Sequence, residues 1–315
     1  MEGARFRGAH WPAMSIFAPA ESQPVTRSIF RPQTETHSVI EARQLQSLRE
    51  ENVRVIETDV TATNFLACHI PGALFWPIPD LLHPDFSLRR DATAFRELLE
   101  RSGINEQTLV VVSYSREPGT AGFLFWILRS FGHTRLAFLN GGTAHWRAQG
   151  LPVSSMPSVV EPTPYGAPLE WSSQFEAKFE QLSASLSSAQ LLDVRSEAEF
   201  RGEVFLTEPP QNGERAGCIR GANWLAHTQF LDENCVLKPK EEIAKLLAQA
   251  GLNAEQKTIS YCAMGARSAF VWFVLHEVLG WPNMANYAGS WLEWSRRAAD
   301  EWIERPEIME VETPR

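Results

Sequence analysis

Thr258-Ile259-Ser260-Tyr261-Cys262-Ala263-Met264-Gly265-Ala266-Arg267-Ser268 is the stretch whose reading settles the architecture. Its first four residues read as a short strand. From Ser268 to Leu279, Val271, Val274, Leu275 and Val278 recur at helical spacing until Gly280 stops the pattern. A strand that passes through a short glycine-bearing loop into a helix is half of a βαβ unit, the building block of a parallel sheet. The same order stands earlier in the chain. Ser102-Gly103-Ile104-Asn105 and Leu109-Val110-Val111-Val112-Ser113-Tyr114-Ser115 return as Ala250-Gly251-Leu252-Asn253 and Thr258 to Cys262. His69-Ile70-Pro71-Gly72-Ala73 returns as Cys218-Ile219-Arg220-Gly221-Ala222, and Gly141-Gly142-Thr143-Ala144-His145-Trp146 as Gly289-Ser290-Trp291-Leu292-Glu293-Trp294. A repeat kept in order over this length means two copies of one domain.

The copies are expected over 40–156 and 176–308, joined by a stiff linker over 157–175 that holds Pro157, Pro162, Pro164 and Pro168. Residues 1–39 read as a disordered leader without a secretory apolar segment, with Met14 as an alternative start. In the second copy Gln190 to Val194 reads as a buried strand. Glu241 to Ala250 reads as a helix with Ile243, Leu246 and Leu247 on one face, opened by Pro239 and closed by Gly251.

Composition narrows the function. The 315 residues carry 29 Lys plus Arg against 38 Asp plus Glu, a net charge of −9, which does not make a nucleic-acid footprint. The longest apolar run, near Phe270 to Leu279, is broken by His276 and Glu277 and is too short for a membrane span. The four cysteines, Cys68, Cys218, Cys235 and Cys262, form no Cys-x-x-Cys pair, so a reducing, cytoplasmic location is expected. His145, His227 and His276 have no metal-ligand spacing, and no cofactor is expected. The eleven tryptophans read as core and interdomain packing.

Chemistry concentrates in the loop from Cys262 to Ser268. It leaves the carboxyl end of a parallel strand, where open α/β sheets bind ligands. A loop curling over a helix start aims backbone N–H groups inward and makes an anion cradle, and Gly265 supplies the freedom for that curl. A cysteine held there beside Arg267 is expected to ionise below its free value of about 8.5 and to act as a nucleophile. The bland reading, that Cys262 is a small buried apolar residue, weakens beside the glycine, the arginine and the turn.

These residues resemble the tandem-domain rhodaneses, thiosulfate sulfurtransferases built from two copies of one α/β domain. The likeness rests on the Cys-x-x-Gly-x-Arg-Ser loop, Asp193-Val194-Arg195, Ile219-Arg220-Gly221-Ala222, Trp272-Phe273-Val274-Leu275 and Gly289-Ser290-Trp291. It implies two rhodanese-like domains, each a parallel sheet flanked by helices, and a sulfur carried as a persulfide on Cys262. It further implies that Ala263, Met264, Gly265, Ala266 and Ser268 hold the outer sulfur, while Arg267 binds the anionic donor and stabilises departing sulfite. Donor and acceptor would be small molecules: thiosulfate or 3-mercaptopyruvate on one side, cyanide or a thiol on the other.

The first copy departs from this pattern. Ser115 stands in the register of Cys262, and Arg116-Glu117-Pro118 supplies neither the glycine nor the arginine in step, so this copy is expected to be inactive and to wall the cleft. Arg195 reads either as a second contact to the donor or as an ion pair with Asp193 or Glu199. Vertebrate members carry a substrate arginine four residues after it, where this chain has Glu199. His69 reads as a structural hydrogen bond, and Cys218 and Cys235 as packing residues rather than resolving thiols.

Other functions are weighed against this one. The 3-mercaptopyruvate enzymes resemble one another in a Cys-Gly-Ser/Thr-Gly-Val-Thr loop that this chain lacks. A Cys-dependent phosphatase or arsenate reductase would separate cysteine and arginine by five residues, where this loop has four. A non-catalytic binding module would not need the intact cysteine loop.

Overall fold

The structure, a computed structural model, describes residues 38–48 and 52–306, so the expected leader lies outside the described residues except at its end. In the first half, β1 (Val39–Ile40), β2 (Val53–Asp59), β3 (Leu74–Pro77), β4 (Leu109–Tyr114) and β5 (Leu136–Leu139) form one parallel sheet in the order β1-β5-β4-β2-β3. The second half holds β6 (Gln190–Asp193), β7 (Cys218–Ile219), β8 (Asn223–Trp224), β9 (Thr258–Tyr261), β10 (Met284–Asn286) and β11 (Ile303–Glu304). Four of these make a parallel sheet in the order β10-β9-β6-β8, while β7 and β11 pair antiparallel. The order β5-β4-β2-β3 is thus repeated as β10-β9-β6-β8, and the sequence repeat is a repeat of topology. Val110, Val111 and Val112 are fully buried, as a parallel strand covered on both faces requires.

Helices flank each sheet: α1 (Ala42–Leu48), α2 (Thr63–Ala67), α3 (Ala92–Arg101), α4 (Pro118–Ser130) and α5 (Gly142–Ala148) in the first half, then α6 (Phe179–Ser185), α7 (Glu197–Arg201), α8 (Lys240–Gln249), α9 (Ala266–Trp272) and α10 (Ser290–Arg297). The helix expected near Glu241–Ala250 is α8, begun after Pro239 and ended before Gly251 at φ +77°. The single helix expected over Ser268–Leu279 is instead α9 followed by a π-helical turn over Phe273–Val278, where the Leu279 N–H reaches the Val274 carbonyl at 3.0 Å. An apolar period read over so few residues does not distinguish an α turn from the wider π turn.

The two halves meet where α4 crosses α9. Gly119 and Gly122 sit three apart on α4. A Cβ at Gly122 would lie 2.3 Å from the Cα of Phe270, and one at Gly119 would lie 3.1 Å from the Cα of Arg267. Glycine in a helix interior costs up to about 1 kcal/mol, and here it permits backbone contact that no side chain would allow. Aromatic packing continues through the joint, with Phe273 4.7 Å from both Phe125 and Phe138. The segment between the halves lies along the first one, with Tyr165 and Leu169 buried, before the Phe175 ring packs at a tilt against Trp272, 5.0 Å between centroids. The first-half backbone therefore sets the position of α9, and with it Arg267. Among the described residues no helix is long and apolar enough to cross a membrane.

Candidate active site

Cys262 is the first residue after β9, and the loop Ala263–Gly265 carries the chain into α9. Gly265 adopts φ +91°, and a Cβ there would meet the Ala288 carbonyl oxygen at 2.5 Å, so glycine is required twice over. The opening N–H groups of α10 take the loop's carbonyls: Trp291 donates to Cys262 and Leu292 to Ala263, each at 3.0 Å. With those carbonyls turned toward α10, the Gly265 N–H points at Cys262 Sγ, 3.1 Å away. The hydroxyl oxygens of Ser268 and Ser290 lie 3.5 and 3.9 Å from the sulfur. Ser268 also donates to Asn286 Oδ1 at 2.7 Å, so its single proton is shared. Cys262 is 1% exposed, whereas Met264 at the crest of the loop is exposed. Of the expected loop residues, Gly265 and Ser268 reach the sulfur.

Ser290 is a residue the sequence did not single out. It holds φ +50°, a conformation costly for any residue but glycine. Its counterpart in the first half is Gly142, at φ +58°. The first half keeps glycine at this turn, and the second accepts strain to place a hydroxyl. That hydroxyl accepts from the Cys262 N–H at 3.1 Å and donates to the Tyr287 carbonyl at 2.8 Å. Comparing the two Gly-x-x-x-x-Trp segments was the available signal. Ser290→Gly should leave unfolding stability within about 1 kcal/mol of wild type, since relief of strain offsets two hydrogen bonds. With Cys262 as the sulfur carrier that the resemblance implies, the sulfur-transfer rate should fall about tenfold to a hundredfold, because Cys262 loses its backbone tether. Urea unfolding beside a cyanolysis assay checks both halves; an unchanged rate would make the strain irrelevant to the site.

Arg267 is paired. Its two terminal nitrogens donate to the two carboxylate oxygens of Glu199, both at 2.7 Å. From the first half, Glu117 approaches the same region: its Oε1 lies 3.1 Å from Nε2 of His227 and also accepts from the Gly119 N–H. Burial pushes the Glu117 carboxyl up, but the contact with His227, the Gly119 donor and the charge of Arg267 outweigh it and hold it below its ordinary value. Glu117 and His227 escaped sequence reasoning because each gains meaning only from the other half of the chain.

Arg195 does not line the cleft, and of the two readings weighed for it the structure places it in the ion pair with Asp193. It is 1% exposed and forks onto Asp193, with Nε at 3.0 and 3.1 Å and a terminal nitrogen at 2.6 Å from the carboxylate oxygens. A further bond reaches the Gly217 carbonyl at 2.7 Å, and the Trp291 ring lies 4.7 Å from the guanidinium. Nε and one terminal nitrogen are thus committed within the second half. Arg195 is the strand-end ion pair.

The first-half loop is built differently. Ser115 follows β4 as Cys262 follows β9, but the N-cap of α4 is Glu117, whose carboxylate covers the Gly119 N–H where the other loop leaves N–H groups open to the sulfur. His69 is spent on the carbonyls of Phe65 and Met156 at 2.7 and 3.0 Å. Cys218 is buried, which together with Asp193 and Glu304 pushes its thiol far up and makes it a poor thiolate. A cleft of about 520 Å³ lies between the halves beside the loop, walled by Phe86 and Phe123 on one side and by Met264 and Leu292 on the other.

The chain matches the Rhodanese-like domain family twice, over residues 41–149 and 177–297. It is 34% identical over 254 residues to a Mycobacterium bovis protein named "Putative thiosulfate sulfurtransferase 1", covering 79% of this chain and 90% of the relative. It is 31% identical over 262 residues to the sulfur carrier protein TtuD of Thermus thermophilus, again covering 79% and 90%. Among solved structures, wild-type EanB superposes with a TM-score of 0.76 at 22% identity, covering 88% of this chain and 72% of that one, and YnjE with 0.73 at 23%, covering 84% and 68%. At these identities the structures bear on fold alone.

Proposed function

The chain belongs to the rhodanese family of sulfurtransferases, and from that premise we propose that it moves a sulfane sulfur from thiosulfate to a thiophilic acceptor through a persulfide on Cys262. The Cys262 thiolate attacks the outer sulfur of thiosulfate; the S–S bond breaks with its electron pair on departing sulfite, and the outer sulfur stays on Cys262. Cyanide or a thiolate then attacks that outer sulfur, leaving as thiocyanate or an organic persulfide and restoring the Cys262 thiolate. The Gly265 N–H, already directed at Sγ, would hold the charge carried onto the outer sulfur.

One observation carries the reading: a cysteine at a strand end, with the Gly265 N–H at 3.1 Å and the Ser268 hydroxyl at 3.5 Å from its sulfur, stands in the second half, while its counterpart in the first is a serine beside a carboxylate. The names of the mycobacterial and Thermus relatives support thiosulfate as donor and sulfur carriage as the task. The cleft beside Met264 has room for an organic thiol as well as cyanide. Incubation with thiosulfate, then with 3-mercaptopyruvate, followed by intact mass and peptide mapping tests this. One added sulfur atom on Cys262 after thiosulfate is expected. Loading by mercaptopyruvate alone would change the donor, and loading on Cys68, Cys218 or Cys235, or none at all, would overturn the reading.

A further inference from the structure

Glu199 begins as a local device. It is the third residue after the α7 cap Ser196, and its Oε2 accepts from the Ser196 N–H at 3.0 Å and the Ser196 hydroxyl at 2.9 Å. The same carboxylate then reaches across to Arg267 and fills both arms of the guanidinium, leaving Glu199 3% and Arg267 22% exposed in their side chains. Of the five N–H donors of a planar guanidinium, Glu199 occupies the end-on pair, one of the two-oxygen faces through which a sulfonate would bind. Burial pushes the Glu199 carboxyl up, but Arg267 and the Ser196 donors hold it below its ordinary value, so it remains an anion. Glu117, whose charge Arg267 also feels, adds a second carboxylate around a single cation.

We propose that Glu199 is an internal competitor for the anion-binding fork of Arg267, so that thiosulfate loads Cys262 only at a raised KM, while an organic persulfide, whose leaving group is not a sulfonate, loads it without parting that pair. This rests on Cys262 being the sulfur carrier. With such a donor, R–S–SH, the Cys262 thiolate attacks the terminal sulfur, the S–S bond breaks, and the electron pair leaves on RS⁻, giving Cys262–S–SH. No dianion has to displace Glu199. Thiosulfate remains a donor at raised KM, because each binding event must first part the Glu199–Arg267 pair.

Glu199→Gln separates the two duties of this side chain. A glutamine still offers an oxygen to the Ser196 N–H, as capping boxes do, while giving up the charge that binds Arg267. KM for thiosulfate should fall about tenfold with a smaller change in kcat, and the rate with the neutral persulfide of 2-mercaptoethanol should move several-fold less. Adding Arg267→Ala should erase the gain. A readout independent of turnover is the thermal midpoint against sulfate at constant ionic strength: it should rise in Glu199→Gln and stay flat in wild type. A folded Glu199→Gln with unchanged KM and no sulfate response overturns the proposal. Should that variant fail to fold, wild type decides: kcat/KM for the neutral persulfide should exceed that for thiosulfate by about tenfold or more, and the reverse order refutes the idea. If neither donor loads Cys262, the carrier reading fails, while the sulfate response still reports whether Glu199 blocks the fork.

Discussion

Cys262→Ser loses sulfur transfer by at least about a thousandfold, while Ser115→Ala stays within about twofold of wild type. The two residues follow equivalent strands, β9 and β4, so a general effect of altering a strand end is controlled within one molecule. A serine at 262 keeps the size and the backbone contacts to Ser290 and α10, but an alcohol is a poor nucleophile without an adjacent base and does not carry a sulfane sulfur. Ser115, in contrast, has its hydroxyl 3.5 Å from Glu57 and lies in a loop whose open N–H is covered by Glu117. Cyanolysis with thiosulfate, with persulfide mapped by mass, measures both. Substantial turnover by Cys262→Ser, with the persulfide found on Cys68 or Cys235, would move the carrier elsewhere.

Arg195→Met destabilises the fold by about 3 to 5 kcal/mol, the scale for breaking a buried ion pair by removing one partner. Asp193 is fully buried, and its two oxygens are held by the Arg195 backbone N–H and side chain. Methionine fills much of the volume beside Trp291 but leaves the carboxylate without its cation. Asp193→Asn together with Arg195→Met should recover part of the loss, because a neutral amide costs less to bury than a bare charge. Urea unfolding of the three variants decides this. If Arg195→Met were as stable as wild type and instead raised KM for thiosulfate, Arg195 would be a donor contact after all.

The two arginines show why one part of the site could be read and another could not. Both stand beside residues that suggest anion binding, and the Cys262 loop was recognisable from Gly265 and from its place between strand and helix. Yet each guanidinium has a carboxylate already on its fork. For Arg195 the partner is two residues away, within sight of the sequence, and both readings stood open. For Arg267 it lies 68 residues away, on a helix cap that also has local work to do. Ser290 falls between: its strain shows only as a dihedral angle, but the glycine at its repeat counterpart was there to be compared.

Legible in the sequence were the twofold α/β repeat, the strand-to-helix loop around Cys262 and the serine that stands in its register in the first copy. These follow from period, glycine placement and the identity of one nucleophile, all of which act over a few residues. Tertiary structure alone decided that Gly119 and Gly122 let α4 seat α9, that Glu117 and His227 meet across the halves, and that Glu199 rather than a substrate holds Arg267. Charge pairing and backbone contact depend on distances between segments far apart in the chain, and only folding sets those distances.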